Sequence, residues 1–229
     1  MTRNVDMLLA AARAFDDLRD ELVFVGGAVV DLLVTDPAAP AARFTDDVDV
    51  VVEVTTQVEW YALADRLRRL GFREDRREGA PLCRWLHGTL AVDVMPEIEK
   101  VLGFASRWYG IARSESDQVG LPDGSRIRVV RAPLFLAMKL EAFASRGGGD
   151  FVASHDVEDV IAVVDGRLSL AFEVAESPGA VERFLRERFE AWLADPAFLD
   201  AVAGHLPSDA ASQERAEVVV ARMRAMVAR

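Results

Sequence analysis

Three aspartates set the chemistry open to this chain. Asp47 and Asp49 lie two residues apart in DDVDVVVEV, and Asp93 lies alone in the apolar run LAVDVMP. Side chains alternate faces along a strand, so Asp47 and Asp49 share one face while Val48, Val50 and Val52 turn toward a core. Two carboxylates on one face of a buried strand are costly unless a positive charge lies between them. A divalent cation held through oxygen is the usual answer. Asp93 reads either as an edge-strand aspartate or as a third acid reaching the same cation. Gly26 and Gly27 follow directly on the apolar run Leu22–Val25. Glycines in that place let a phosphate approach bare backbone N–H groups, and a helix start behind them favours an anion. Arg43 and Thr45 stand just before the carboxylates. Arg43 reads as a phosphate partner or as a solvated arginine.

The elements that must hold these groups follow from hydrophobic period and turn chemistry. The stretch from Val23 to Val54 reads as a strand, a two-glycine turn, a short helix in AVVDLLV, a Pro/Ala-rich loop and a second strand. Before it, residues 4–20 have the spacing of an amphipathic helix, with Asn4 as its cap. After it, residues 56–70 form a helix with Trp60, Leu63, Leu67 and Leu70 on one stripe and Gly71 as its stop. The segment Phe72–Gly79 is charged and expected to be exposed. PLCRWLHGTLAVDVMPE reads as a hairpin, with arms at Leu82–Leu86 and Thr89–Met95 and its turn near His87-Gly88. Residues 97–120 resist a periodic reading; Arg107, Trp108 and Tyr109 are expected in a loop over the pocket. LPDGSRIRVV is a turn leading into a strand, and a helix begins near Pro133. Lys139 sits mid-helix among apolar residues, where it either snorkels to the surface or points at a phosphate. GGGDFVAS is expected to be flexible. HDVEDVIAVVDGR opens a helix capped by Ser154, with Asp156, Glu158 and Asp159 near its positive end. From Ser177 onward the chain reads as helical, with Glu214, Arg215, Glu217, Arg222 and Arg224 outward.

Composition removes several classes of function. The 229 residues carry 27 basic and 38 acidic side chains, a net charge of −11, which argues against broad non-specific binding to nucleic acid. One cysteine, Cys83, leaves no internal disulfide and makes a cysteine-based zinc site a poor expectation. His87, His155 and His205 lack metal-type spacing. No apolar run approaches membrane-spanning length, and the charged N-terminal segment does not read as a signal peptide. A cytoplasmic protein is the expectation.

The string FVGGAVVDLL…RFTDDVDVVV resembles the opening motif of the nucleotidyltransferase superfamily with a DNA polymerase β-like core: a Gly-Gly turn, then an R-x-T-x-D-x-D strand. Asp93 in LAVDVMP matches the third acid of that family. The lysine helix KLEAFASR, followed by the acidic HDVEDVIAVVDGR, resembles the AbiEii-type nucleotidyltransferases, toxins of type IV toxin–antitoxin systems. The resemblance spans roughly residues 20–167. Two departures stand out: the Gly27-to-Asp47 gap is longer than is usual, and His155 stands where the family has lysine.

The resemblance implies an α/β (α+β) fold, a small mixed sheet flanked by helices with a helical C-terminal portion. Residues 1–130 would form the nucleotidyltransferase core, and 131–229 a helical region packed on it. It implies Mg²⁺ or Mn²⁺ held by Asp47, Asp49 and Asp93. A nucleoside triphosphate would be met by Gly26, Gly27, Arg43, Thr45 and Lys139, and Asp156 and Asp159 would orient Lys139 or meet the nucleotide. Asp47, Asp49, Asp93 and Lys139 would form the catalytic set, and nucleotide would pass to an acceptor hydroxyl. RNA, above all a tRNA 3′ end, is the acceptor the toxin branch implies, with an antitoxin protein as partner. Aminoglycosides and protein hydroxyls are rival acceptors. A non-catalytic relic of the fold, acting as a binding partner, is the alternative from another class; the presence of all three acids speaks against it.

Overall fold

A computed structural model describes residues 2–146 and 149–228. Two compact units appear: Met1–Asp31 with Phe44–Arg131, and Leu32–Arg43 with Ala132–Arg229. The loop segment 32–43, assigned from sequence to the first region, groups instead with the helices.

The first unit begins with α1 (Arg3–Phe15), capped by the Thr2 hydroxyl on the Val5 N–H. Asn4, expected as the cap, is buried inside the first turn. The helix also ends earlier than residue 20: Asp16 has a positive φ of 50°, and a 3₁₀ turn carries the chain over Asp16–Glu21. Paired acids at that end also oppose the helix dipole. Strand β1 (Leu22–Val25) follows, then a 3₁₀ turn at Gly27–Val29 that runs into α2 (Val30–Leu33). Strand β2 spans Asp47–Val52. Helix α3 (Gln57–Arg69) starts with a full capping box between Thr56 and Glu59.

The segment 72–79 is not wholly exposed. Phe72 is buried, and Arg73–Glu74 forms β3 on the outer side of β4 (Arg84–His87). Strand β5 (Leu90–Pro96) completes the expected hairpin. Residues 97–120 resolve into α4 (Glu99–Leu102), a 3₁₀ turn at Tyr109–Ile111 and β6 (Ser116–Gly120). Trp108 there is buried, and the Tyr109 hydroxyl donates to Met95 Sδ at 2.9 Å. Strand β7 (Arg126–Val130) pairs antiparallel with β6.

Among the described residues the sheet has seven strands in the order β3-β4-β5-β2-β1-β7-β6. It is mixed: β1–β7 and β2–β5 are parallel, and β1–β2 and β4–β5 are antiparallel. One face is apolar. Phe24, Val50 and Val94 lie side by side across it, all fully buried. Phe15 of α1 packs edge-on against Phe24 at 6.3 Å and stacks on Phe72 at 4.9 Å. Helix α1 therefore covers the apolar face, and the acids emerge on the other.

The second unit is helical. It contains α5 (Ala132–Arg146), α6 (His155–Gly166), α7 (Leu170–Glu176), α8 (Gly179–Leu193), α9 (Pro196–Val202) and α10 (Ala210–Val227). Val181, Leu185 and Phe189 are buried on α8 as their spacing requires. Arg215 and Arg222, read as outward from sequence, instead reach into the unit. Arg215 pairs with Asp165 at 2.7 Å and Asp36 at 2.8 Å, and Arg222 donates to the carbonyls of Val164 and Asp165. Those partners lie far away along the chain, so helical spacing alone could not show them. Of the GGGD stretch expected to be flexible, Gly147 and Gly148 lie outside the described residues. Among the described residues no helix is long and apolar enough to cross a membrane.

Candidate active site

Strand pairing brings the three aspartates to one place. Asp49 on β2 is the direct partner of Asp93 on β5, and Asp47 pairs with Ala91. Paired residues share a face, and residues two apart share a face, so all three carboxylates stand on the side opposite Phe24 and Val50. The edge-strand reading of Asp93 does not survive this topology, because β5 lies between β4 and β2. Asp93 is buried, and Asp47 and Asp49 are half-buried.

Gly26 explains how Asp49 fits. It has φ 70° and ψ −171°, a conformation that side-chain-bearing residues avoid. A Cβ built on it would stand 1.8 Å from Asp49 Oδ2. The glycine is thus required twice, by its backbone and by the carboxylate lodged against it. Gly27 opens the 3₁₀ turn and is buried. The helical segment behind the glycines is short, α2 having four residues, so little helix dipole stands behind this turn.

Thr45 is buried, and its hydroxyl donates to Asp47 Oδ1 at 3.2 Å. Its backbone N–H donates to Asn4 Oδ1 at 3.2 Å, while Asn4 Nδ2 donates to Asp31 Oδ2 at 3.1 Å. Asn4 thereby ties α1 to the approach to β2 and to α2. It is a positioning residue that sequence reading mistook for a cap.

Arg84 was not foreseen. Its Nε donates to Asp93 Oδ1 at 2.8 Å and its Nη2 to Asp93 Oδ2 at 2.9 Å, a two-pronged fork. The same Nη2 donates to Asp47 Oδ2. Hydrogen bonding to Asp93 raises the Arg84 pKa against the opposing effect of burial, with the Asp93 and Asp47 charges adding to it. A signal was present in the sequence. With Gly88-Thr89 as a two-residue turn, His87 faces Leu90, and counting back sets Arg84 opposite Asp93. Cys83 beside it is buried, and its thiol is pushed up to about 12 by burial and by the charges of Asp93 and Asp49. It stays a neutral thiol.

The donor set suits a hard divalent ion. Three carboxylates at neighbouring register positions offer only oxygen, the preference of Mg²⁺ and Mn²⁺. The guanidinium between Asp47 and Asp93 shows that this face already recruits positive charge. As the side chains stand, no three His, Cys, Asp or Glu groups among the described residues converge on a single metal position. The fit is therefore one of donor chemistry and register.

The other sequence candidates gather in the helical unit, around α6. Lys139 Nζ lies 3.1 Å from Asp156 Oδ1 and 2.7 Å from Asp159 Oδ2. Arg43 Nε lies 2.8 Å from Asp159 Oδ1, and Arg146 Nε lies 3.3 Å from Asp156 Oδ2. Charges thus alternate from Arg43 through Asp159, Lys139 and Asp156 to Arg146. Burial works to raise the Asp156 carboxyl, but Lys139 and Arg146 outweigh it and hold it below the ordinary value. Burial likewise opposes the charge on Arg43, and Asp159 more than restores it. Ser154 caps α6 on the Val157 N–H as the sequence indicates. The acids behind that cap serve as ion-pair partners more than as dipole charges.

No protein-family model matches the chain, and no curated protein matches it. Solved structures do. The antibiotic-resistance factor ANT(2'')-Ia, in its solution structure, aligns with a TM-score of 0.49 at 16% identity, over 82% of this chain and 93% of that one. A crystal structure of ANT(2'')-Ia with adenylyl-2''-tobramycin aligns with a TM-score of 0.48 at 14% identity, over 83% and 99%. A protein from H. pylori described as a nucleotidyltransferase aligns with a TM-score of 0.47 at 11% identity, over 100% and 96%. With scores below 0.5, none of these likenesses assigns a role to a residue of this chain.

Proposed function

We propose that this chain is a divalent-metal-dependent nucleotidyltransferase, an enzyme that moves a nucleoside monophosphate from a nucleoside triphosphate to an acceptor hydroxyl. The observation that carries the reading is the register pairing of Asp49 with Asp93, with Asp47 on the same face and the Gly26-Gly27 turn beside them. Asp47, Asp49 and Asp93 would hold Mg²⁺ or Mn²⁺. When bound, the ion supplies charge neutralisation and polarisation at the triphosphate. Thr45 fixes the Asp47 carboxylate through its hydroxyl, and Gly26 leaves room for that of Asp49. Gly26 and Gly27 offer a phosphate close access to the backbone. Asp93 accepts the proton of the acceptor hydroxyl. The acceptor oxygen then bonds to the α-phosphorus, the bond from that phosphorus to the bridging oxygen breaks, and pyrophosphate leaves. Such chemistry depends mostly on positioning and charge.

We assign Arg43, Lys139, Asp156 and Asp159 a supporting role. Their charges are already engaged with one another, which favours holding α5, α6 and the 32–43 segment over contact with a phosphate.

For the acceptor, the motif resemblance favours RNA, in particular a tRNA 3′ end, with an antitoxin protein as partner and the cytoplasm as the place of reaction. The net charge of −11 favours a second reading, a polycationic small molecule such as an aminoglycoside. One assay tests these together. The protein and its Asp47→Asn and Asp49→Asn variants are incubated with Mg²⁺ and each α-labelled nucleoside triphosphate. Total tRNA, aminoglycosides or the protein alone serve as acceptors. Label on one acceptor, lost in both variants, is expected. Undiminished transfer by both variants would refute the site.

A further inference from the structure

Arg84 sits where the proposed reaction needs a cation, and it is the chain's own. Its fork engages both oxygens of Asp93, while Nη2 alone also reaches Asp47. The two attachments differ in kind. The bidentate pair with Asp93 joins directly opposed residues of one hairpin, so the backbone register sets it. The contact with Asp47 is one arm reaching past β5 to β2. Its Nη2 is already used by Asp93. The guanidinium is also largely enclosed, its side chain 22% exposed beside 25% for Asp47 and 11% for Asp93. In such surroundings charge pairs are worth more than in open water.

We propose that Arg84 is a positioning residue with two tasks. It fixes the Asp93 carboxylate, and it acts as a built-in counter-cation at Asp47 that a divalent ion has to displace. This rests on the reading of the three aspartates as a metal site. A free divalent ion then competes with a guanidinium already in place and binds weakly. A triphosphate changes the balance, because its oxygens give the released arm a new partner, and arginine forks suit phosphate. Metal and nucleotide therefore bind cooperatively, and free metal is not held unproductively.

The test reads metal binding rather than turnover. Mn²⁺ affinity is measured by electron paramagnetic resonance for the protein, Arg84→Gln, Arg84→Lys and Asp49→Asn, with and without a non-hydrolysable triphosphate analogue. Circular dichroism confirms that each variant is folded. Arg84→Gln is expected to bind Mn²⁺ alone at least about tenfold more tightly, about 1.4 kcal/mol. The gain in Mn²⁺ affinity brought by the analogue is expected to shrink. Arg84→Lys keeps the charge without the fork and is expected to retain weak binding; it carries the coupling test should Arg84→Gln not fold. Equal or weaker binding by Arg84→Gln, or by Arg84→Lys coupling unchanged from the parent, overturns the role of Arg84 and leaves the metal site standing, provided Asp49→Asn abolishes binding. If neither the parent nor any variant binds Mn²⁺ with the analogue present, the metal-site reading itself is overturned.

Discussion

Replacing Gly26 with alanine tests the geometry of the acid cluster most directly. The added methyl group meets two obstacles. The first is the backbone, whose φ of 70° and ψ of −171° fall in a region kept for glycine, at a cost of about 1–3 kcal/mol for other residues. The second is Asp49. From 1.8 Å to ordinary contact at 3.4 Å, its carboxylate would have to withdraw by about 1.6 Å. A misplacement of about 1 Å is enough to cost roughly 100-fold in a positioned reaction. The loss of stability should therefore be modest and the loss of function large. Guanidinium denaturation is expected to give a lower midpoint at unchanged slope, an unfolding free energy smaller by about 1–3 kcal/mol. Mn²⁺ affinity with the triphosphate analogue and nucleotidyl transfer are each expected to fall by about 100-fold or more. Gly120→Ala is the control, since a Cβ there has open space and no positive φ to strain. A Gly26→Ala protein with parental metal binding and transfer would refute the argument that Asp49 needs the bare glycine.

Three further outcomes follow from the helical unit. Asp159→Ala removes the carboxylate that Arg43 and Lys139 share, but Lys139 keeps Asp156 and Arg43 keeps Glu158 at 3.8 Å, so the cost in denaturation experiments should be about 1.5–3 kcal/mol. Gly166→Ala sets a methyl group 2.7 Å from Val34 Cγ1, on the residue whose carbonyl accepts from the Thr35 and Asp36 N–H groups. Overpacking there should lower stability by about 1–3 kcal/mol, read as a lower melting temperature. Asp156 has a folded-state pKa lowered from 3.8. Its pairs with Lys139 and Arg146 therefore contribute in full above that value, and the contribution is lost as pH falls through the lower folded-state value. Denaturation midpoints followed below about pH 4 should fall less steeply in Asp156→Asn than in the parent protein.

Local signals carried most of the architecture. The strand at Leu22–Val25, the glycine turn, the α3 helix and the hairpin around His87-Gly88 all lie close to where period and turn chemistry set them. What stayed hidden depends on partners remote in sequence. The β6–β7 pairing was missed because β6, SDQVG, is polar and mostly exposed and carries no alternation. Asn4 has the sequence position of a cap, whereas its partners Asp31 and Thr45 lie 27 and 41 residues away. In sequence Arg43 reads as a phosphate partner or a solvated arginine, and only the fold sets it against Asp159, 116 residues on.

The same long-range pairing separates two acidic groups that look alike in sequence. DDVDVVV and HDVEDVIAVV each set aspartates a few residues apart among valines. On α6, Asp156 meets both Lys139 and Arg146, and Asp159 meets both Lys139 and Arg43. Each of these buried carboxylates has two cations of the chain's own, an arrangement complete without a ligand. On the sheet, Asp47 and Asp93 share the guanidinium of Arg84. Three carboxylates gathered on one face offer the oxygen donors that a hard cation prefers, which is what the Mn²⁺ measurements probe. The pairing thus separates the two groups: the helix acids each meet two cations within their own unit, and the sheet acids, brought together by register, are the ones to test for chemistry.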